Sequence, residues 1–162
     1  MIAYSVNEVI ELAVQIEQNG FAFYHEASKR KDLDNESKAL IEFLRDEELR
    51  HEKTFLALRD DKDMSNLELT QDWELVSQYL KTIVDARIFN SKDAAIKKAA
   101  GAKDLMEILD FAIAFEKDTL LYFHALKDSI EFPGTRKILA RIITEEVSHV
   151  LKLNDYKKSL SK

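Results

Sequence analysis

The sequence predicts an all-α protein, a four-helix bundle whose second and third long helices are joined by a long crossover carrying an extra helix. Three observations carry this prediction. The 162 residues include only three Gly (Gly20, Gly101, Gly134) and one Pro (Pro133), too little of the punctuation that hairpins and sandwiches require. Apolar residues recur at three- and four-residue steps along four long stretches. The chain also matches itself, segment 5–60 on segment 104–160, so one helical hairpin is used twice. At 18.7 kDa, with 46% hydrophobic residues, it reads as a single domain over residues 1–162 that buries enough apolar surface to need no external staple.

Ser5-Val6-Asn7-Glu8 has the capping-box pattern, and Val6, Ile10, Ala13, Glu17, Phe21 and Tyr24 form one stripe of a first long helix, Val6 to Arg30. Polar Asp32-Leu33-Asp34-Asn35 is a short connection, which makes the second helix an antiparallel neighbour with Ile41, Leu44, Glu48, His51 and Phe55 on its inner face. The chain is polar and charged from Asp60 to Asn66. It then resumes a less regular helical pattern at Trp73, Val76, Tyr79, Leu80, Ile83 and Ile88, the helix of the crossover. Trp73 is expected to cover bundle surface or a contact between chains. A small-residue segment, Ser91 to Ala102, precedes another capping box, Asp104-Leu105-Met106-Glu107, and a third long helix striped by Leu109, Ala112, Glu116, Leu120 and Phe123. Glu131-Phe132-Pro133-Gly134 interrupts it, and Thr135 opens the fourth helix, with Leu139, Ile142, Glu146, His149 and Leu153 inward.

The repeat singles out the chemistry. A shift of 99 lays Glu17 on Glu116, Phe23-Tyr24 on Tyr122-Phe123 and His25 on His124, and a shift of 98 lays Glu47-Glu48 on Glu145-Glu146 and His51 on His149. Hairpins related in this way pack about a pseudo-twofold axis, with Glu17 opposite Glu116. Each apolar stripe is broken at mid-length by an ionisable group: Glu17, Glu48 with His51, Glu116, Glu146 with His149. A Glu and a His three residues apart lie about 60° apart on a helix and can face one point. Four buried carboxylates without compensation would cost many kcal/mol or be forced to protonate. Two divalent ions at +4 balance them, and the mixed carboxylate and imidazole set suits iron, manganese or zinc better than calcium or magnesium. One Glu-x-x-His means little, since 16 Glu and 4 His yield roughly 0.4 such pairs by chance; two in repeat register are a specific signal. The competing reading is a bundle that keeps these groups as satisfied core polar residues.

Glu17-x-x-Gly20-x-x-Phe23-Tyr24, Glu48-x-x-His51, Glu116-x-x-Thr119-x-x-Tyr122-Phe123 and Glu146-x-x-His149 resemble rubrerythrins of the ferritin-like superfamily over nearly the whole chain. The resemblance implies a ferritin-like bundle with Glu17 and Glu116 as terminal ligands, Glu48 and Glu146 bridging, and His51 and His149 each capping one metal. It implies two iron ions, with manganese or zinc as substitutes, and reduction of hydrogen peroxide to water in a homodimer whose crossover permits helix exchange. A ferritin-type ferroxidase or iron-storage protein, with dioxygen as oxidant, is the alternative. Many rubrerythrins carry a Cys-ligated rubredoxin domain, whereas this sequence has no Cys, so an external electron donor such as a rubredoxin-like protein is expected. The family's additional Glu one turn after the third-helix ligand is here Thr119, matched by Gly20, which implies a six-ligand and more symmetric site.

Composition narrows the partners. A net charge of -6 without a Lys/Arg cluster argues against nucleic acid, and no apolar run approaches the length of a membrane span. Without a basic and apolar leader in Met1 to Asn7, a cytoplasmic location is expected. No phosphate loop or nucleophile elbow occurs. Tyr24, on the Glu17 face, reads equally as a hydrogen-bond partner of a ligand and as core packing, while Tyr122 reads as packing. His25 and His124 read as flank positions, Glu47 and Glu145 as solvated groups or partners of ligands, and Glu52 as a weak extra ligand.

Overall fold

The computed structural model describes residues 5–60 and 71–162, and every described element is helical apart from connections and caps. In chain order these are α1 (Val6–Ser28), α2 (Asn35–Asp60), α3 (Trp73–Ala86), α4 (Lys92–Gly101), α5 (Leu105–Ser129) and α6 (Pro133–Leu160). α1 packs along α2 and α5 along α6, forming the two hairpins of the repeat; α4 lies against α1, and α3 against α5. The polar stretch following Asp60 lies outside the described residues. No described helix is long and apolar enough to cross a membrane.

Local chemistry fixes most boundaries. At α1 the box is complete: the Ser5 hydroxyl accepts from the Glu8 amide, and the Glu8 carboxylate accepts from the Ser5 amide at 2.6 Å. α1 ends at Ser28, two residues short of the predicted Arg30. The Lys29 and Arg30 amides close tight bonds to the Glu26 and Ala27 carbonyls, and the Arg30 guanidinium reaches the Ala99 and Ala102 carbonyls at 3.2 and 2.8 Å. Arg30 thus satisfies carbonyl groups at the C-terminus of α4. The α5 box is only half formed. Asp104 accepts from the Glu107 amide, but the Glu107 carboxylate turns back to the Lys103 amide instead of Asp104. α6 begins at Pro133 and not at Thr135, because proline fits the first helical position, where its missing N–H costs nothing.

The crossover differs from the prediction in two respects. The Ser91 to Ala102 segment is itself a helix, α4, opened by Ser91, whose side chain accepts from the Ala94 amide, so the crossover carries two helices. Its buried residues are Ala95 and Ala99, and alanine gives almost no hydrophobic period to read. In α3, Leu80 and Ile83 are buried as expected, but Tyr79 faces out at 50% exposure. Trp73 packs at the edge of the core. Inside, Phe23, Phe89 and Phe115 stack in series, with ring centroids 4.7 and 5.2 Å apart, beside the polar centre of the bundle.

Candidate metal centre

All six residues singled out by the repeat are at most 1% exposed and converge in the bundle interior. Glu17 comes from α1, Glu48 and His51 from α2, Glu116 from α5, Glu146 and His149 from α6. Glu48, Glu116, Glu146 and His149 bring one donor atom each within 4.8 Å of one another, and Glu17, His51 and Glu146 do the same. Glu146 therefore belongs to both groups. Glu17 and Glu116 fall in different groups, on either side of it.

The imidazoles are stacked 5.8 Å apart and both turn Nδ1 to the interior. His51 Nδ1 lies 2.8 Å from Glu146 Oε1, and His149 Nδ1 lies 2.9 Å from Glu146 Oε2. Their outer nitrogens meet a second pair of carboxylates. His51 Nε2 is 2.8 Å from Glu145 Oε2, and His149 Nε2 is 3.7 Å from Glu47 Oε2. With a proton on His51 Nε2 held by Glu145, loss of the inner proton to an incoming metal would leave Nδ1 bare, the tautomer a metal requires. Arg50 joins the outer pair: its guanidinium donates to Glu47 at 3.2 Å and lies 3.1 Å from Glu145 Oε2. The repeat doubles Glu47-Glu48 as Glu145-Glu146, and that acidic duplication is the only trace of this outer layer in the sequence.

The remaining candidates separate clearly. The Tyr24 hydroxyl donates to Glu116 Oε1 at 2.6 Å, whereas Tyr122 donates to the Val9 carbonyl at 2.7 Å, away from the centre. His25 and His124 are exposed, and His25 stacks on Phe21. Glu52 stands outside both groups and accepts from Gln18 at 2.8 Å. Thr119 donates its hydroxyl to the Phe115 carbonyl at 2.9 Å. At Gly20 there is no room for a side chain: a Cβ would stand 2.5 Å from Glu48 Oε2 and 2.5 Å from the Phe115 ring.

Charge is concentrated here without sufficient compensation. Burial, then the neighbouring Glu146, raises Glu17 well above the usual carboxylate range; burial, then Glu17, does the same to Glu48. Burial and Glu146 raise Glu116 to about 8. For Glu146 burial works in the same direction but is outweighed by hydrogen bonds from His149 and His51, which hold it below its ordinary value. Burial would depress both imidazoles, yet Glu146, with Glu48 and Glu145, raises His51 to about 9, and Glu116 with Glu146 raises His149 to about 10.

The donor set fits a pair of metal ions. Both oxygens of Glu17 and of Glu48 and Glu116 Oε2 are buried with no hydrogen-bond partner, while Glu146 Oε1 and His51 Nδ1 face each other at 2.8 Å; among the described residues an Arg87 nitrogen, elsewhere, is the one further buried polar atom without a partner. Native interiors rarely leave polar atoms in this state, and here five carboxylate oxygens are aimed into one small volume. Satisfied core polar groups would each show a donor.

No protein-family model matches the sequence, and no curated protein does. A crystal structure from Thermotoga maritima, provisionally assigned as a ferritin-like diiron-carboxylate protein, is similar, with a TM-score of 0.71 at 24% identity over 98% of this chain and 97% of that one. The likeness spans the crossover as well as the four long helices. Its extent, with the all-helical order of elements, shows that this chain has the ferritin-like helical-bundle fold.

Proposed function

We propose that this chain is a di-iron carboxylate oxidoreductase that reduces hydrogen peroxide to water with electrons from an external donor. The observation that supports it most directly is the set of five unpartnered carboxylate oxygens from three helices, gathered beside Glu146 and two buried imidazoles. The Thermotoga maritima protein, described as a diiron-carboxylate protein on the same fold, supports iron over manganese or zinc. Glu17, Glu48, His51, Glu116, Glu146 and His149 would hold the ions, with Glu146, common to both groups, between them. When bound, two ferrous ions supply the two electrons that peroxide reduction consumes along with two protons.

The protein's own part is to bind, orient and balance charge. Four carboxylates at -4 against two divalent ions at +4 let the pair sit in the interior without net charge. Tyr24 holds Glu116 by Oε1 and leaves Oε2 for a ligand bond. Glu145 fixes the outward nitrogen of His51 at 2.8 Å and Glu47 stands 3.7 Å from that of His149, so both rings offer Nδ1 inward. The sequence has no cysteine for a thiolate-held electron carrier of its own, which favours a separate redox partner such as a rubredoxin-like protein. A homodimer, with exchange of helices through the crossover, and a cytoplasmic location complete the reading. Anaerobic loading with Fe(II), followed by stopped-flow oxidation, tests it. Two ions per chain, oxidised much faster by hydrogen peroxide than by dioxygen, are expected. Faster oxidation by dioxygen, with continued iron uptake into a large shell, would instead mark a ferroxidase.

A further inference from the structure

We propose that Arg50 is a latch on this centre, controlling how fast cations enter and leave while neutral small molecules pass. The inference rests on the dimetal reading and deepens it. A cleft of about 220 Å³ leads from solvent to His149, and its walls include Phe43, Glu47, Arg50, Glu145 and Lys152. It is the cleft, among those described, that reaches one of the six buried residues.

At its mouth Glu47 and Glu145, with His51, bring donor atoms within 4.8 Å of each other, an arrangement that would itself attract a divalent ion. The Arg50 guanidinium spans the two carboxylates, occupies their facing oxygens and offsets half of their charge. Lys152 adds a second positive charge beside it, held by the Ser148 hydroxyl at 2.6 Å and lying over the Phe43 ring. A cation moving along this route competes with Arg50 for the two glutamates that line it. An uncharged molecule of the size of hydrogen peroxide meets no such barrier. The repeat supplies only one such residue, because the position matching Arg50 by the 98-residue shift is Ser148.

The test measures release, not turnover. Wild type and R50Q are loaded anaerobically with Fe(II), the ions per chain are counted, and loss to excess ferrozine is followed by absorbance. R50Q is expected to lose iron about tenfold faster, the effect of breaking two partly exposed charge-assisted bonds. R50K keeps a point charge but not the planar fork, and is expected to restore part of the retention. Raising salt should accelerate release from the wild type and leave R50Q unchanged, because screening acts on the ion pairs the variant lacks. Equal release rates in wild type and R50Q, with two ions bound to each, would overturn the latch alone. A wild-type chain that binds no pair of ions would overturn the metal centre and the latch with it.

Discussion

Both oxygens of Glu146 are engaged, Oε1 2.8 Å from His51 Nδ1 and Oε2 2.9 Å from His149 Nδ1, and the residue belongs to both donor groups. Removing it strips a ligand from each half. E146A is expected to bind fewer than two Fe(II) per chain by metal analysis, and a variant still holding two would contradict the bridging place proposed for it. Tyr24 acts one step out. Y24F deletes a 2.6 Å bond to a buried carboxylate, and the loss is expected to cost about 1–3 kcal/mol, read as a lower midpoint in chemical denaturation. At this scale the six inward residues are legible from sequence because each is written twice in register, which chance does not supply. Glu47, Glu145 and Arg50 are not legible in the same way. Glu145 on α6 reaches His51 on α2, and no helical period within one element reveals a contact made between two.

Among the helices, α1 carries the tightest constraint, at Gly20. Alanine normally improves a helix interior by about 1 kcal/mol over glycine. Here its methyl group would enter space held by Glu48 Oε2 and the Phe115 ring, both at 2.5 Å, and the buried ring has little freedom to yield. G20A is therefore expected to destabilise by about 1–3 kcal/mol and to displace Glu48, lowering the metal count. G101A is the control: a Cβ at the end of α4 meets nothing within 4 Å, so its thermal midpoint should be unchanged or slightly higher. The long helices are legible because caps and apolar stripes agree at both levels, as the Ser5 and Asp104 caps illustrate. α4 is hidden because its buried side is Ala95 and Ala99, residues as compatible with a loop as with a helix in pattern alone. Tyr79 is misplaced by the same reasoning, since the buried face of α3 is narrower than its run of apolar residues.

For the molecule as a whole, the unbalanced interior fixes a pH dependence. In the metal-free protein Glu17, Glu48, Glu116, His51 and His149 all hold protons more tightly folded than unfolded. Their contribution is complete below the unfolded values of 4.5 for the carboxyls and 6.5 for the imidazoles, and is lost as pH climbs through about 8 to about 10. Glu146 is shifted the other way, so its contribution is present above 4.5 and fades only in acid. The thermal midpoint of the stripped protein is expected to fall between about pH 5 and about pH 9, and two equivalents of Zn(II) should restore it most at the alkaline end, where the ligands are deprotonated. A profile flat across that window would count against the site. The repeated hairpins do not bring their donors together evenly: four residues converge in one group and three in the other, with Glu146 in both. Such halves compete unequally for a scarce ion. If both groups bind as proposed, a calorimetric titration with Co(II) should resolve two successive plateaus, and one merged plateau would count against unequal halves.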